Sequence, residues 1–275
     1  MSNESKNGTS VKRYLAVLRG SIMEALSFRA STMLRILGNL VYLLIIYFLW
    51  KAIFDSSPTD TVNGMTFYDT MIYLVLAAAM FNFMDTFVVW HVGDDYQTGQ
   101  IVLYLTKPIG YQPFLFFSRV GNCLISFFVT FLPTFIIVYF VTEGSIAFGI
   151  NLLFFVISIL LAMGVNFCID FFVGTICFYT QSIWGVNIMK EVVVSLLSGA
   201  TIPLAFFPET FRKIVDFLPF QAIYHMPLHI LTDKTMQLSD YVTSLGIQLF
   251  WMVVMLGISK LFWKISVRQL TVNGG

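Results

Sequence analysis

Six long apolar stretches separated by short polar segments dominate the hydrophobic pattern of the chain. Each approaches or exceeds the roughly 20 residues that an α-helix needs to cross about 30 Å of hydrocarbon. The pattern predicts an all-α, polytopic membrane protein with six transmembrane helices. The fourth stretch is long enough to tilt in the bilayer or to project from it. The six stretches cover residues 33–54, 67–90, 118–141, 150–179, 186–206 and 241–263.

The chain before the first apolar stretch has helical periodicity. This spacing predicts an amphipathic helix over residues 11–32 that lies flat in the headgroup region. A cytosolic extension of the first span is the alternative. Residues 1–10 are predicted to form a disordered polar tail, and residues 33–275 a single transmembrane domain. The apolar residues that recur every four positions are Tyr14, Leu18, Ile22 and Leu26.

Lysine and arginine are distributed unevenly between the two sides that six spans would create. The segments before the first span, between the second and third spans, and after the sixth span carry most of the basic residues. The segments on the other side carry more acids than bases. Because basic loops are retained in the cytosol, both termini are predicted to be cytosolic.

The composition agrees with a membrane environment and excludes several kinds of partner. The chain is 57% hydrophobic and 11% charged, whereas a soluble domain carries about 25% charged residues. The formal net charge of +1 indicates no nucleic-acid partner. Cys123, Cys168 and Cys177 lie in apolar runs without the spacing of a disulfide framework or a zinc site, so we expect buried, unpaired thiols.

Sequence motifs for catalysis are absent. The chain has no G-x-x-x-x-G-K-[ST] loop to hold nucleotide phosphates, and no H-E-x-x-H or G-x-S-x-G motif. His225 and His229 are four residues apart, but no further metal ligands lie near them in the sequence. We therefore expect no catalytic residue, no metal site and no cofactor in this chain.

Polar residues recur on one face of the second, fourth and fifth spans. Ionisable groups in hydrocarbon are unfavourable, so these faces must point at protein or water. They predict a translocation path or a subunit interface, and interhelical hydrogen bonding that only holds the bundle together is the alternative. Asp170 lies deeper than the other acids. The path residues are Asn82, Asp85, Asn166, Asp170, Glu191, Ser195 and Ser198.

The predicted cytosolic segment 92–117 contains a short amphipathic element. Gly99 and Pro108 delimit it, and its apolar residues give it one face that is able to dock into a groove on another protein. Since the chain cannot bind ATP itself, an ATPase is the expected partner if the chain moves a solute. The proposed docking residues are Asp94, Asp95, Gly99, Ile101, Leu103, Leu105, Lys107 and Pro108.

Prolines interrupt the region after the fifth span. Pro203 is predicted to break the helix, Pro208 to start a short new helix, and Pro219 to end it. Together with Gly199 these residues predict an outer re-entrant region over 203–231, with an interfacial helix before the last span.

Several of these motifs, taken together, resemble type-2 ABC exporter permeases of the six-span branch without a fused ATPase domain. The outer pattern S-G-x-x-I-P-L-x-F-F-P…L-P-F, followed by 224-YHMPLHIL-231, is similar to the outer region of that family. The segment T-G-x-I…L-x-K-P, the basic N-terminal helix and 178-FYT-180 also match. The resemblance covers nearly the whole chain except residues 1–10.

The resemblance implies a permease dimer, formed with a second copy or a related chain, bound to two cytosolic ABC ATPase subunits. ATP and magnesium would bind to those partners. Residues 11–32 would be the connecting helix, segment 92–117 the coupling segment, and the second and fifth spans the main walls of the path. The family often has an acid soon after the glycine of the coupling segment, where this chain has Gln100 and Ile101.

We accordingly expect an ATP-driven exporter in the plasma membrane of a bacterium. Its aromatic content of 17% suits an amphipathic or hydrophobic cargo, such as a drug, peptide, lipid or natural product. An ion-coupled secondary transporter and a structural or regulatory membrane subunit are the alternatives. A secondary transporter usually has broken helices in matching halves, whereas here only one span is clearly interrupted.

Overall fold

The structure, a computed structural model, describes residues 3–27, 29–142, 149–180 and 182–269. Seven α-helices and a small hairpin lie before the fourth span. The strands β1 (Thr61–Val62) and β2 (Met65–Thr66) pair antiparallel, with Thr61 opposite Thr66. A π-helical turn, Phe127–Phe131, joins the sixth of these helices to the seventh. The helices are α1 (Asn3–Ser27), α2 (Arg29–Asp55), α3 (Phe67–Met84), α4 (Val88–Gln97), α5 (Gln100–Leu105), α6 (Tyr111–Ser126) and α7 (Leu132–Val141).

Five further α-helices form the C-terminal half. Two of them are long, one corresponds to the predicted fifth span, and the remaining two lie almost wholly within the region 203–231 that the prolines interrupt. Short 3₁₀ turns occur at Leu204–Phe206, Pro219–Ala222 and Val267–Gln269. The helices are α8 (Ile150–Thr180), α9 (Ile183–Leu197), α10 (Glu209–Val215), α11 (His225–Thr232) and α12 (Leu238–Ser266).

The structure confirms the prediction of an all-α polytopic membrane protein. Among the described residues, five segments are long and apolar enough to cross a bilayer, and α8 is as long as expected. The predicted fifth span corresponds to α9, whose 15 residues extend for about 22 Å. The count of six spans therefore stays a prediction. The five segments are Ile36–Asp55, Phe67–Gln97, Tyr111–Val141, Ile150–Thr180 and Leu238–Ser266.

The N-terminal boundaries differ from the sequence-based prediction. Helix α1 begins at Asn3, so residues 3–10 are helical where a disordered tail was predicted. Helix α2 begins at Arg29, so residues 29–32 belong to the first span helix. No proline lies in either stretch to interrupt the helix. Residues 1–2, 28, 143–148, 181 and 270–275 of the predicted regions lie outside the described residues.

The amphipathic helix α1 packs along α6. The Tyr14 ring stacks on Phe117 with the ring centroids 5.1 Å apart. Leu18 and Ile22 are partly buried, whereas Leu26, the last residue of the predicted apolar stripe, is exposed. Most of the stripe therefore faces protein, and the position of α1 relative to the headgroups stays a prediction.

The apolar core has two parts, and α8 contributes to both. The larger part joins α3, α7, α8 and α11 and includes Leu76, Met80 and Phe83. The smaller part joins α4, α5, α6 and α8 and includes Val92 and Phe171. The three cysteines are buried and unpaired, as the sequence predicts. The two parts of the core meet where the second span is interrupted.

Candidate functional site

The second predicted span is broken in its middle. Helix α3 ends at Met84 and α4 begins at Val88, and Phe87 has the left-handed backbone conformation, with φ of +52°. The prediction of a continuous helix over residues 67–90 is wrong at this point. No glycine or proline marks the break. Within it, the Phe87 backbone N–H donates a hydrogen bond to Asp85 Oδ1 at 3.4 Å, and another helix supplies further contacts. A break at membrane depth persists when neighbouring helices satisfy the freed backbone groups.

Helix α8 contacts the break through two residues that are one turn apart, one bonded to the backbone and one to a side chain. Asn166 Nδ2 donates a hydrogen bond to the carbonyl of Met84, at 3.0 Å. Thr86 Oγ1, inside the break, donates to Asp170 Oδ2 at 2.7 Å. Asp170 and Asn166 are both buried. Both residues predicted from the polar stripe of the fourth span therefore hold the interrupted second span.

A buried ion pair joins α8 to α9. Lys190 Nζ lies 3.1 Å from Asp170 Oδ1, and the two side chains are 12% and 3% exposed. Lys190 precedes Glu191 in the sequence but was not among the predicted path residues. The sequence offered one signal for it, because Lys190 lies within an apolar stretch and other predicted spans carry acids that could pair with it. Thr86 gave no comparable signal in the sequence.

A cavity of about 540 Å³ lies beside this polar cluster. Its size is typical of small-molecule sites, which range over about 300–1,000 Å³. Helices α2, α3 and α9, with the turn after α9, supply its walls. We call it the central cavity. It is lined by Gly38, Asn39, Tyr42, Ala77, Ala78, Phe81, Asn82, Asp85, Glu191, Val192, Ser195, Ala200 and Thr201.

The structure brings together six of the seven predicted path residues. Four of them line the central cavity, and a narrow recess of about 20 Å³ connects three of these to Asn166 and Asp170. Ser198 is the exception, because it is fully buried and lines neither space. Its carbonyl instead accepts a hydrogen bond from the backbone N–H of His225.

The central cavity opens on the lateral surface of the bundle. Tyr42 and Val192, on opposite walls, are 38% and 52% exposed. Glu191 is also exposed, and its Oε1 accepts a hydrogen bond from Asn187 Nδ2 at 2.5 Å. A carboxylate on this surface of a hydrophobic helix requires water or another protein beside it rather than lipid tails.

The predicted coupling segment forms a compact surface element. Gly99 has φ of +74° and connects α4 to α5. Leu103 and Leu105 are 63% and 44% exposed, and their neighbour Val102, which sequence reasoning did not select, is also exposed. Ile101 is 1% exposed and belongs to the smaller part of the core. Ile101 therefore anchors the element in the core and, contrary to the prediction, does not share the exposed surface of the two leucines.

The polar residues of this segment make contacts within the chain. Tyr111 Oη donates to Asp95 Oδ2 at 2.6 Å, whereas Asp94 is exposed. Burial, together with the nearby Asp95 carboxylate, raises the pKa of Tyr104. Lys107 Nζ lies over the Tyr104 ring, 4.1 Å from its centroid. Lys107 thus covers an aromatic surface at the end of α5.

The same segment is connected to the N-terminal helix. Arg13 Nη1 donates a hydrogen bond to the carbonyl of Pro108, at 3.4 Å. Pro108 is exposed and lies in the turn between α5 and α6. Helix α1 therefore contacts the predicted coupling segment directly as well as through α6.

The proline-rich region has the predicted interruptions at different residues. Helix α9 ends at Leu197, and Gly199, with φ of +80°, reverses the chain before Pro203 is reached. Pro208 is the N-cap of α10, and Pro219 begins a 3₁₀ turn after α10 has ended at Val215. The predictions that Pro203 and Pro219 end helices are therefore wrong, since the backbone turns earlier in both places.

A second cavity of about 460 Å³ lies between this region and the start of α3. Tyr73, Arg212 and His225 are among its lining residues. Burial lowers the pKa of His225 to about 3, and the nearby His229 and Arg212 act in the same direction. His229 Nε2 lies 3.3 Å from Asp233 Oδ2. Burial alone would raise the pKa of Asp233, but hydrogen bonds from Thr235 and the charge of His229 lower it.

Comparison with known families identifies most of the chain with one group of proteins. A family model described as ABC-2 family transporter protein matches residues 40–274. The match includes the broken second span, every residue that lines the central cavity except Gly38 and Asn39, and the whole region that contains α10 and α11. No curated protein matches the chain.

Proposed function

The chain belongs to the ABC-2 family of transporter proteins, and from this premise we propose that it is one half of an ATP-driven exporter. The family assignment confirms the resemblance to type-2 ABC permeases and makes the chain a transmembrane permease subunit. Permeases of this family generally associate with ABC ATPases, so ATP hydrolysis belongs to a partner. The export direction, the number of partners and the cargo are parts of the proposal.

The lateral opening of the central cavity is the observation that carries the proposal. Helices α2, α3 and α9 line it with polar and small side chains, while Glu191 and Val192 are exposed at its edge. A second permease, either a copy of this chain or a related one, would cover this edge and complete a path between the two halves. Such a partner would also keep the Glu191 carboxylate away from lipid tails.

The surface of α5 supports docking of the ATPase partners. Leu103 and Leu105 present apolar area, and Asp94 and Lys107 provide charges beside it. An exposed apolar patch with a polar rim is typical of a protein interaction site. We propose one ATPase subunit for each permease half, with ATP and magnesium held by the ATPases. Docking of a cytosolic ATPase on α5 would also place the N-terminus in the cytosol, and with the six predicted spans it would place the C-terminus there too.

The lining of the central cavity supports an amphipathic or hydrophobic cargo. Tyr42 and Phe81 provide aromatic surface, and Asp85 and Glu191 provide carboxylates. This mixture suits a molecule that has both an apolar body and a polar group. The plasma membrane of a bacterium is the proposed location, with α10 and α11 on the outer side.

An ion-coupled carrier is the second candidate, and the interrupted second span favours it. Discontinuous helices beside buried charges, such as Asp170 and Lys190, occur in secondary transporters. A carrier would move its solute with an ion gradient and without ATP. Reconstituted vesicles with either ATP or an ion gradient separate the two functions, since an exporter requires the nucleotide.

The proposal is tested by isolating the complex from its native membrane and identifying its subunits by mass. An ABC ATPase should co-purify and should require this chain for attachment to the membrane. Replacing Leu103 and Leu105 with aspartate should release the ATPase, because charge on the docking surface opposes burial. Leu238→Asp is the matched control, since Leu238 is 59% exposed at the start of α12. Retention of the ATPase by the double variant would contradict the docking assignment.

A further inference from the structure

The break at residues 85–87 lies between the central cavity and the proposed docking surface, which Leu103 and Leu105 form. Helix α3 lines the cavity, whereas α4 and α5 carry the exposed leucines. Helices α4 and α5 are joined through Thr98 and Gly99, and Val92 and Ile101 bury together in the smaller part of the core. We call residues 88–105 the α4–α5 module. A helix transmits displacement along its axis through its hydrogen bonds, and these are interrupted at the break.

The α4–α5 module is fitted closely onto α8 and α9. A β-carbon on Gly174 of α8 would lie 2.9 Å from the Cβ of Val92. A β-carbon on Gly93 of α4 would lie 2.5 Å from a side-chain carbon of Ile183 on α9. Tyr96 Oη also donates to the carbonyl of Phe178, at 3.2 Å. These close contacts restrict movement of the module relative to α8 and α9, so a displacement of the module displaces those helices as well.

Polar contacts bridge the break and reach the cavity wall. Thr86 Oγ1 donates to Asp170 at 2.7 Å, and Asp170 pairs with Lys190 at 3.1 Å. Glu191 follows Lys190 on α9 and lines the central cavity. These contacts form a continuous route from the interrupted span to the cavity that does not pass along α3.

Stability alone is a weak explanation for this ion pair. A buried ion pair contributes little more than a well-packed apolar pair, and often less, because both charges lose their hydration. The left-handed conformation of Phe87 is also unfavourable for a residue with a side chain. Local strain beside buried charges is a property of segments that carry functional constraints.

We propose that Lys190 is a positioning residue which, through Asp170 and Thr86, couples the α4–α5 module to α9 and to the wall of the central cavity. The inference rests on the proposed function, because it assigns a role in communication between the ATPase and the cargo site. Motion of α5 reaches Glu191 through the ion pair in addition to the contact of Gly93 with Ile183, and the break interrupts its transmission along the axis of α3.

The first test uses the chain alone, in lipid nanodiscs, with spin labels at Gln100 of α5, which is not one of the proposed docking residues, and Leu196 of α9. Both positions are exposed, and the native cysteines are buried. We expect a narrow distance distribution in the otherwise unaltered chain and a broader or shifted one in Lys190→Met. Lys190→Arg retains the charge and should restore the narrow distribution. A native distribution in Lys190→Met would overturn the proposal.

Gln248→Ala separates coupling from general loss of stability. Gln248 is fully buried on α12, and its Nε2 donates to the carbonyl of Ala222 at 2.8 Å, away from the α4–α5 module. This variant should lower the melting temperature of the chain while the distance between the labels stays native. If it broadens the distribution as much as Lys190→Met does, the ion pair has only a structural role and the proposal is overturned.

The second test uses the complex with its ATPase. Lys190→Met should keep the ATPase bound but lose the change in label distance that ATP produces in the unaltered complex. An unchanged response to ATP would overturn the role of Lys190 and leave the proposed function intact. If the unaltered chain binds no ATPase, the proposed function fails, and the measurement on the isolated chain still decides the coupling between α5 and α9.

Discussion

A β-carbon on Gly121 would lie 2.6 Å from Oγ of Ser21, so α1 and α6 are as close there as the absence of a side chain allows. The Ser21 hydroxyl donates a hydrogen bond to the carbonyl of Ser118, one turn earlier on α6. Small residues permit this kind of approach between helices in membranes. The amphipathic helix is therefore attached to the bundle at a specific point and not only by its apolar stripe.

Gly121→Ala should loosen α1 from α6. The added carbon would also lie 2.8 Å from the backbone nitrogen of Ile22, and backbone atoms cannot move aside as a flexible side chain can. Trypsin cleavage after Arg19, which is exposed, should become faster. Gly20→Ala on α1 is the matched control, because nothing lies within 4 Å of its added carbon. Equal cleavage rates for the two variants would argue against the close contact.

Gly199→Ala should destabilise the turn that ends α9. An alanine at φ of +80° is unfavourable by about 1–2 kcal/mol, and its β-carbon would also lie 2.8 Å from Tyr73 Oη. Thermal unfolding in detergent measures the loss. Gly246→Ala in α12 provides the comparison, since that site has open space and ordinary helical geometry. Adding Tyr73→Phe to Gly199→Ala should recover part of the stability, and no recovery would exclude the clash.

The stability of the chain should fall with decreasing pH because of His225. Its pKa is about 3 in the folded chain and 6.5 for an ordinary histidine, so below pH 6.5 the unfolded chain binds a proton that the folded chain does not. The stabilising effect is complete above about pH 6.5 and is lost progressively as the pH falls toward 3. Melting temperatures between pH 7.5 and 4.5 should therefore decrease less steeply in His225→Gln. His229→Gln, which removes an exposed histidine one turn away, controls for the loss of an imidazole.

The buried ion pair should show strong coupling in a double-mutant cycle. Lys190→Met leaves Asp170 without its cation, and breaking a buried pair in this way destabilises a protein by about 3–5 kcal/mol. Asp170→Leu combined with Lys190→Met removes both charges and should be less destabilising than the sum of the single changes. Denaturant unfolding of the four proteins gives the coupling energy. Additive effects would mean that the two side chains do not interact.

The polar stripes predicted most of the central site because they depend on spacing along one helix. Asn82 with Asp85, and Asn166 with Asp170, recur at helical intervals that place each pair on one face. The sequence does not show which polar stripe contacts which other stripe in the folded bundle. The contact of Asp170 with Lys190, and not with Asp85 or a residue of α2, depends on how the helices pack and has no local signal.

The sequence also did not predict which apolar residues of the short helix α5 are buried. Ile101, Leu103 and Leu105 have similar apolar side chains within one short segment, and all were predicted to be on the docking surface. The structure buries Ile101 against α4, α6 and α8 and exposes the two leucines. The rotation of a six-residue helix is set by the elements around it, because a helix this short has too few residues to show a clear apolar face.

The sequence by itself determined the membrane environment, the all-α fold, the long fourth span and the family, because runs of apolar residues and ordered motifs are local properties of the chain. Tertiary structure alone decided that the second span breaks at residues 85–87, where neither glycine nor proline is present. Helical hydrogen bonds are lost there, Asn166 donates to the freed carbonyl of Met84, and Asp170 accepts a hydrogen bond from the Thr86 side chain. Those partners lie about 80 residues further along the chain, so only the folded arrangement of α3, α4 and α8 brings them to the break.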